Sequence, residues 1–292
     1  MAEGPWLVIG ATGLVGSNLI RTLTEHGVTV IGTARHPLDG EIALDVTDGQ
    51  QLNDCLRSVA PKVVVDAAGA TAVDRCEEEP AWARAVNEVA PRAIADLLPD
   101  ASTLVYLSTD YVFDGTGGPY REDAPTGPVN EYGRSKLAGE DAVAAHGRAL
   151  VVRTTVVYGR EVRDPGKNSL YQLDRALRAG EAFRASIDEV GTPTYAADLA
   201  DAIVGLVESG SLGTFHVGGA DLVSRFEYAQ TAADVLGLDA GLIEPVESAR
   251  LDRPAARPLK HGLICEAAEA VLGRPMVGVR EGVGRAGEEL GW

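Results

Sequence analysis

Tyr132-Gly-Arg-Ser-Lys136 sets a phenol and an ammonium four residues apart, which puts both on one face of any helix that contains them. A phenol with its ordinary pKa of about 10 exchanges protons poorly at neutral pH. A lysine one turn away stabilises the phenolate, so the expectation is a Tyr132 pKa drawn down by Lys136 toward the range where acid–base catalysis works. The spacing alone is weak, because most such pairs only support their helix. A second pattern gives it weight. Gly10-Ala-Thr-Gly13-Leu-Val-Gly16 follows the apolar run Trp6–Ile9 and precedes the amphipathic stretch Ser17–Glu25. Strand, glycine turn and helix in that order suit a dinucleotide pyrophosphate. The glycines let the backbone turn tightly and approach the phosphates, and the first helical turn offers free N–H groups at a positive dipole end. Gly10, Thr12, Gly13, Leu14, Val15 and Gly16 are the residues expected to do this.

Elements with the right period surround both patterns. Apolar runs at Val28–Thr33, Ile42–Leu44, Val63–Val65, Thr103–Leu107 and Leu150–Thr154 alternate with helical patterns at Gln50–Val59, Pro80–Leu98 and around Tyr132. Near-continuous Val/Ile/Leu runs separated by helices predict an α/β fold, a doubly wound parallel sheet covered on both faces. Residues 1–159 are expected to form the dinucleotide-binding domain. Further helices are expected at Ser169–Ala179, Tyr195–Val207 and Arg225–Leu236, with a polar loop at Arg160–Lys167 and a returning strand at Phe215-His-Val-Gly. Residues 160–292 then make mainly a smaller substrate-binding lobe, drawn from 160–190 and 220–292, while 191–219 returns to the sheet.

Cofactor choice is written at the end of the second strand. NAD sites usually place an acid there, roughly 20 residues past the glycine loop, to bind the ribose 2′-hydroxyl. Gly32-Thr-Ala-Arg35-His36 has no carboxylate. Arg35 suits a 2′-phosphate, so NADP is the expected cofactor and NAD the alternative. Asp45, at the end of the third strand, with Val46 beside it, is expected near the adenine.

A chain of 292 residues, 45% of them hydrophobic, can hold such a domain and an appended lobe. The net charge of −17 argues against nucleic acid or an anionic membrane as partner. Only four of the 26 basic residues are lysine. Such a surface suits a salt-rich cytoplasm, and it obliges a phosphate-bearing ligand to find a local basic pocket. No run reaches the length of a membrane span, and the first ten residues lack the basic start and cleavage site of a secretory signal. Cys55, Cys76 and Cys265 are scattered and lack metal-ligand spacing, so a cytoplasmic protein with reduced thiols and no metal is expected.

Several longer matches add to these readings. The chain resembles an extended short-chain dehydrogenase/reductase and, within that superfamily, is similar to the dTDP-4-dehydrorhamnose reductase family. The likeness is carried by Gly10–Gly16, by Ala67-Ala-Gly-Ala-Thr-Ala-Val-Asp-Arg-Cys-Glu77 and by Val86-Asn87. It continues through Ser108-Thr-Asp-Tyr-Val-Phe-Asp-Gly115, Tyr132–Glu140, Arg153–Gly159 and Asp188–Thr194. The resemblance implies NADPH-dependent reduction of a 4-keto nucleotide sugar by Thr109, Tyr132 and Lys136. Tyr132 would donate the proton, Lys136 would tune it and grip the nicotinamide ribose, and Thr109 would hydrogen-bond the substrate oxygen. It further implies Ala67, Ala68 and Asn87 beside the cofactor, and Ser108, Asp110, Tyr111 and Val156 on the sugar side.

The chain departs from the family at sugar-facing positions. Val156 stands where a tryptophan is common, and Arg257-Pro-Leu-Lys-His-Gly-Leu263 replaces R-P-x-N-S-x-L. A dehydratase would need an acid–base pair after Thr109, and Asp110-Tyr111 lacks the base. Two alternatives stay open: a nucleotide-sugar epimerase on the same triad, and a non-catalytic subunit. The latter is suggested by similarity to the regulatory β subunit of methionine adenosyltransferase at Tyr111-Val-Phe-Asp-Gly, Pro119-Tyr-Arg-Glu122 and Gly213-Thr-Phe-His216. The oligomeric state is open, a homodimer among the options.

Overall fold

In the computed structural model, which describes residues 4–162 and 166–292, the apolar runs pair as parallel strands. These are β1 (Trp6–Ile9), β2 (Val30–Ala34), β3 (Ile42–Ala43), β4 (Val63–Asp66), β5 (Thr103–Thr109) and β6 (Ala149–Thr154). A seventh strand, Gly213–His216, adds beside β6, giving the order seventh–β6–β5–β4–β1–β2–β3. The order reverses between β1 and β4. Crevices outside the carboxyl ends of parallel strands at such a reversal are where ligands bind.

The period of two along each strand feeds two cores. Trp6 and Val8 pack with Leu19, Val105, Val152 and Ile203 on one face, while Leu7 and Ile9 pack with Leu52, Val64, Ile94 and Leu104 on the other. Helix Leu14–Glu25 packs against helix Ala196–Glu208, which precedes the seventh strand. A separate core of Leu170, Leu173, Tyr228, Ala232, Ile243 and Val283 belongs to the lobe, whose strands Phe183–Ser186 and Ile243–Val246 pair in parallel. Leu263, Cys265, Ala268 and Met276 instead close the sheet-side core, so this C-terminal stretch crosses back from the lobe.

The single helix expected over Pro80–Leu98 is broken by a π turn, Ala85–Val89, between Pro80–Arg84 and Ala90–Leu97. Pro91 explains part of this. It has no N–H for the carbonyl of Asn87 four residues back, and that oxygen accepts from the Tyr106 hydroxyl at 2.8 Å instead. A further helix, Val73–Glu78, was not expected. Residues 163–165 of the expected polar loop lie outside the described residues. Among the described residues no helix is long and apolar enough to cross a membrane.

Candidate active site

A cleft of about 450 Å³ opens at the carboxyl ends of β1, β2 and β4 and is walled by the glycine turn. Gly10, Thr12, Gly13, Arg35, Asp45, Val46, Ala67 and Ala68 all line it, as do Trp82 and Val86, which sequence reasoning did not assign. Gly10 has φ +84°, and a Cβ there would lie within 2.9 Å of the Ala67–Ala68 backbone. A Cβ on Gly16 would lie 2.2 Å from the Gly10 carbonyl oxygen. The turn is thus clamped between the loop after β4 and helix Leu14–Glu25. No side chain caps that helix at Gly13, and the first-turn amides of Leu14, Val15 and Gly16 have no intrahelical acceptor. These features fit a pyrophosphate. Gly16→Ala is expected to weaken NADPH binding roughly 5- to 150-fold, because overpacking of roughly 1–3 kcal/mol must move the turn. Fluorescence titration with the nucleotide checks this.

Asp45 and Arg35 line the cleft together, past the ends of β3 and β2. The Asp45 carboxylate accepts from the Thr47 hydroxyl at 2.7 Å and its amide at 3.0 Å. These bonds hold its pKa below the usual range, helped by the Arg35 charge. Arg35 is exposed at the rim.

The chemical end of the site is built where β5 stops. Thr109 is buried, and its hydroxyl donates to Asp110 Oδ1 at 3.0 Å and accepts the Tyr111 amide at 3.2 Å. The one hydroxyl proton therefore points to Asp110, not to a substrate oxygen as the resemblance implied. Helix Glu131–Val143 is capped by Asn130, whose Oδ1 accepts from the Gly133 amide at 2.8 Å. Gly133 lets the helix press onto the Tyr111 carbonyl, since a Cβ there would fall 2.1 Å away. Tyr132 consequently meets Tyr111 edge-on, ring centres 5.6 Å apart.

Burial pushes the Tyr132 phenol above its ordinary pKa, opposed by a hydrogen bond with Thr109 and reinforced by Asp110. The expected lowering by Lys136 is therefore corrected: burial sets the direction, and Lys136 is not among the groups that act most on the phenol. Lys136 does share the helix face, but its Nζ lies 3.9 Å over the Tyr106 ring. Its own pKa is lowered by burial, against the opposing charges of Asp66 and Glu140.

Further residues are placed differently from expectation. Asn87 is buried by the π turn, and its side chain exchanges bonds with the Ala70 amide (2.8 Å) and carbonyl (3.1 Å) and donates to Ser135 (2.9 Å). It braces the loop that walls the cleft and does not line the cleft. Ser108 donates to Glu140, which is buried in an ion pair with Arg153 at 2.7 Å. Successive strand residues face opposite ways, so Ser108 and Thr109 do not share a site. Asp110 turns inward to Thr155 and His261. Val156 follows β6 half-exposed, with φ +44°, a costly conformation for a β-branched residue and one found mostly at functional sites.

Tyr111 also lines a second cleft of about 260 Å³, on the lobe side, with Phe183 and Tyr228. Arg184, Arg225, Arg253 and Arg257 converge on it. Arg253 pairs with buried Glu189, and Arg257 with Asp74 at 2.9 Å. Arg225 makes no ion pair among the described residues. Sequence reasoning missed this basic pocket because its arginines come from three separate stretches and form no motif.

One family model matches residues 5–291, that of the RmlD substrate binding domain. The chain belongs to this family. It is 37% identical over 277 residues to a protein named probable low-salt glycan biosynthesis reductase Agl14 from Haloferax volcanii, covering 91% of each chain. It is 37% identical over 262 residues to a dTDP-4-dehydrorhamnose reductase of Streptomyces griseus, covering 87% of this chain and 83% of that one. Among solved structures of the family, a dTDP-4-dehydrorhamnose reductase from Bacillus anthracis, in complex with NADP, superposes with a TM-score of 0.89. That pair is 28% identical and covers 98% of this chain and 99% of the other. The family and the Rossmann-type fold anticipated from sequence are therefore those of the chain.

Proposed function

We propose that the protein reduces the 4-keto group of a nucleotide-linked sugar with NADPH. The observation that carries this reading is the station of Tyr132 between two clefts. It packs on the same small core of Ala70, Cys76 and Ala83 as Trp82 and Val86, which line the first, and meets Tyr111, which lines the second. NADP in the Bacillus anthracis relative, and the names of the relatives, support the cofactor and the substrate class. The first cleft holds the dinucleotide, with Arg35 toward the 2′-phosphate. Arginines in the second take the sugar-linked diphosphate, which an overall charge of −17 would otherwise repel.

Bound NADPH supplies the hydride. Tyr132, kept neutral by burial, is in the right form to donate the proton to the keto oxygen. Lys136 stands off the phenol, over the Tyr106 ring, and its charge acts on Asp66, which accepts the Ala68 amide at the wall of the first cleft. The three cysteines are free and buried, which suits a cytoplasmic enzyme.

Oxidation of NADPH, followed against a panel of dTDP- and UDP-linked 4-ketosugars, tests the reading. Turnover of at least one with stoichiometric NADPH loss is expected. Sugar conversion without NADPH loss would assign an epimerase instead, and no conversion of any would remove the enzymatic reading. Arg225→Ala is expected to raise KM for the nucleotide sugar by roughly tenfold or more with kcat little changed. It deletes uniform binding worth one charge-assisted hydrogen bond, about 1.5–3 kcal/mol.

A further inference from the structure

Asp110 is held by three side chains, that of its neighbour Thr109 and two from distant parts of the chain. The Thr109 hydroxyl donates to Oδ1 at 3.0 Å, and the Thr155 hydroxyl to Oδ2 at 2.5 Å. His261 Nδ1 meets the same Oδ2. All four residues are buried, His261 and Thr155 at 0% and 2% exposure. His261 enters from the C-terminal stretch that crosses back from the lobe, anchored by its amide to the Val190 carbonyl at 2.9 Å. Gly191 leaves it room, since a Cβ there would lie 2.5 Å from the ring. Nε2 is buried with no partner among the described residues. A proton on that nitrogen would be a desolvated donor with nothing to meet, so the proton sits on Nδ1 and is donated to Asp110.

We propose that His261 is a positioning residue for the catalytic threonine. With two donors on Oδ2, the Asp110 carboxylate is fixed in rotation, and its free Oδ1 takes the single Thr109 proton. Thr109 Oγ1 then has only lone pairs left. One of them accepts the Tyr111 amide at 3.2 Å. A rotor that could donate to the phenol, to the substrate or to Asp110 is locked as an acceptor. Thr109 is thereby fixed before substrate arrives, next to the Tyr111 that meets Tyr132 edge-on, as preorganised sites require. This inference rests on the reductase reading above.

Variants of His261 separate positioning from mere packing. His261→Asn puts an amide N–H where Nδ1 stands, His261→Gln puts it where Nε2 stands, and His261→Leu supplies no donor. His261→Leu and His261→Gln are expected to lower kcat roughly ten- to hundredfold with KM and NADPH affinity within about twofold, and His261→Asn to recover most of that loss. In an Asp110→Asn background, His261→Leu should have little further effect on kcat. Equal kcat for the Asn and Gln variants, or a loss confined to KM, would overturn the proposal. If the Leu and Gln variants do not fold, Thr155→Val replaces them. It removes the other donor to Oδ2 and should lower kcat severalfold, and an unchanged kcat there counts against the proposal. A ¹⁵N-resolved, strongly downfield Nδ1–H proton, lost in His261→Gln, is expected whether or not the substrate class is right. Its absence overturns the arrangement, whereas its presence in a protein that turns over no ketosugar faults the functional reading alone.

Discussion

Tyr132→Phe is expected to lower kcat for ketosugar reduction by roughly 10²–10⁴-fold while changing NADPH affinity less than about twofold. The deleted oxygen is the proton donor, and little else depends on it. Phenylalanine keeps the edge contact with Tyr111 and the packing on Ala70, Cys76 and Ala83. Thr109 keeps its bonds to Asp110 and the Tyr111 amide, so the pocket retains its form. Lys136→Ala should behave differently. It removes a cation from beside buried Asp66, whose carboxyl burial raises above the usual range and Lys136 chiefly holds down. Without that cation Asp66 takes up a proton more readily, and the wall of the cofactor cleft loses its charge balance. Turnover and NADPH binding should therefore both fall in Lys136→Ala. Steady-state kinetics and nucleotide titration on the two variants make the comparison. Equal loss of cofactor affinity in both would show that their roles are misassigned.

The sheet and the glycine turn were legible because their causes are local. Buried strands read as unbroken Val/Leu runs, and Gly10 and Gly16 are required by backbone contacts a few residues away or across one strand. Helix Arg225–Leu236 was legible to its ends, since Ser224 and Glu227 form a capping box and Gly237 closes the last turn at φ +65°. What escaped depends on contacts between distant segments. Four-residue spacing placed Lys136 on the correct face but not its ammonium, which goes to the Tyr106 ring from the neighbouring strand. The pKa of Tyr132 is governed by burial and by Thr109, Asp110 and Tyr111, not by its helix neighbour. The arginine cleft collects residues between positions 184 and 257, and no spacing rule would have joined them. Ser108 is the exception. The alternation of β5 already separates it from Thr109, so strand period alone could have removed it from the site.

Arg35→Ala is expected to weaken NADPH by one or two charge-assisted hydrogen bonds, roughly 1.5–3 kcal/mol each before solvent screening, and to leave NADH almost unchanged. The position decides this. Arg35 lines the first cleft just past β2, exposed at the rim where a 2′-phosphate would stand, and its charge acts on Asp45 across the same end. Exposure lowers the value of such a contact through screening, so the lower part of the range is the better guide at physiological salt. A guanidinium stays charged at every working pH and its planar fork suits a phosphate, which is why the expected contact is with Arg35. Arg35→Asp should go further and favour NADH. A carboxylate repels the phosphate, and in NADH it accepts the 2′-hydroxyl, the arrangement NAD sites use. Asp45 would then lie near a second carboxylate in place of a cation, which adds to the repulsion felt by NADPH. The ratio of kcat/KM for NADPH over NADH, measured in wild type and both variants, is the deciding quantity. It should exceed one in wild type, fall in Arg35→Ala and invert in Arg35→Asp. A wild-type preference for NADH, or a ratio indifferent to Arg35, would remove the 2′-phosphate role from this residue and leave the Tyr132 chemistry as it stands.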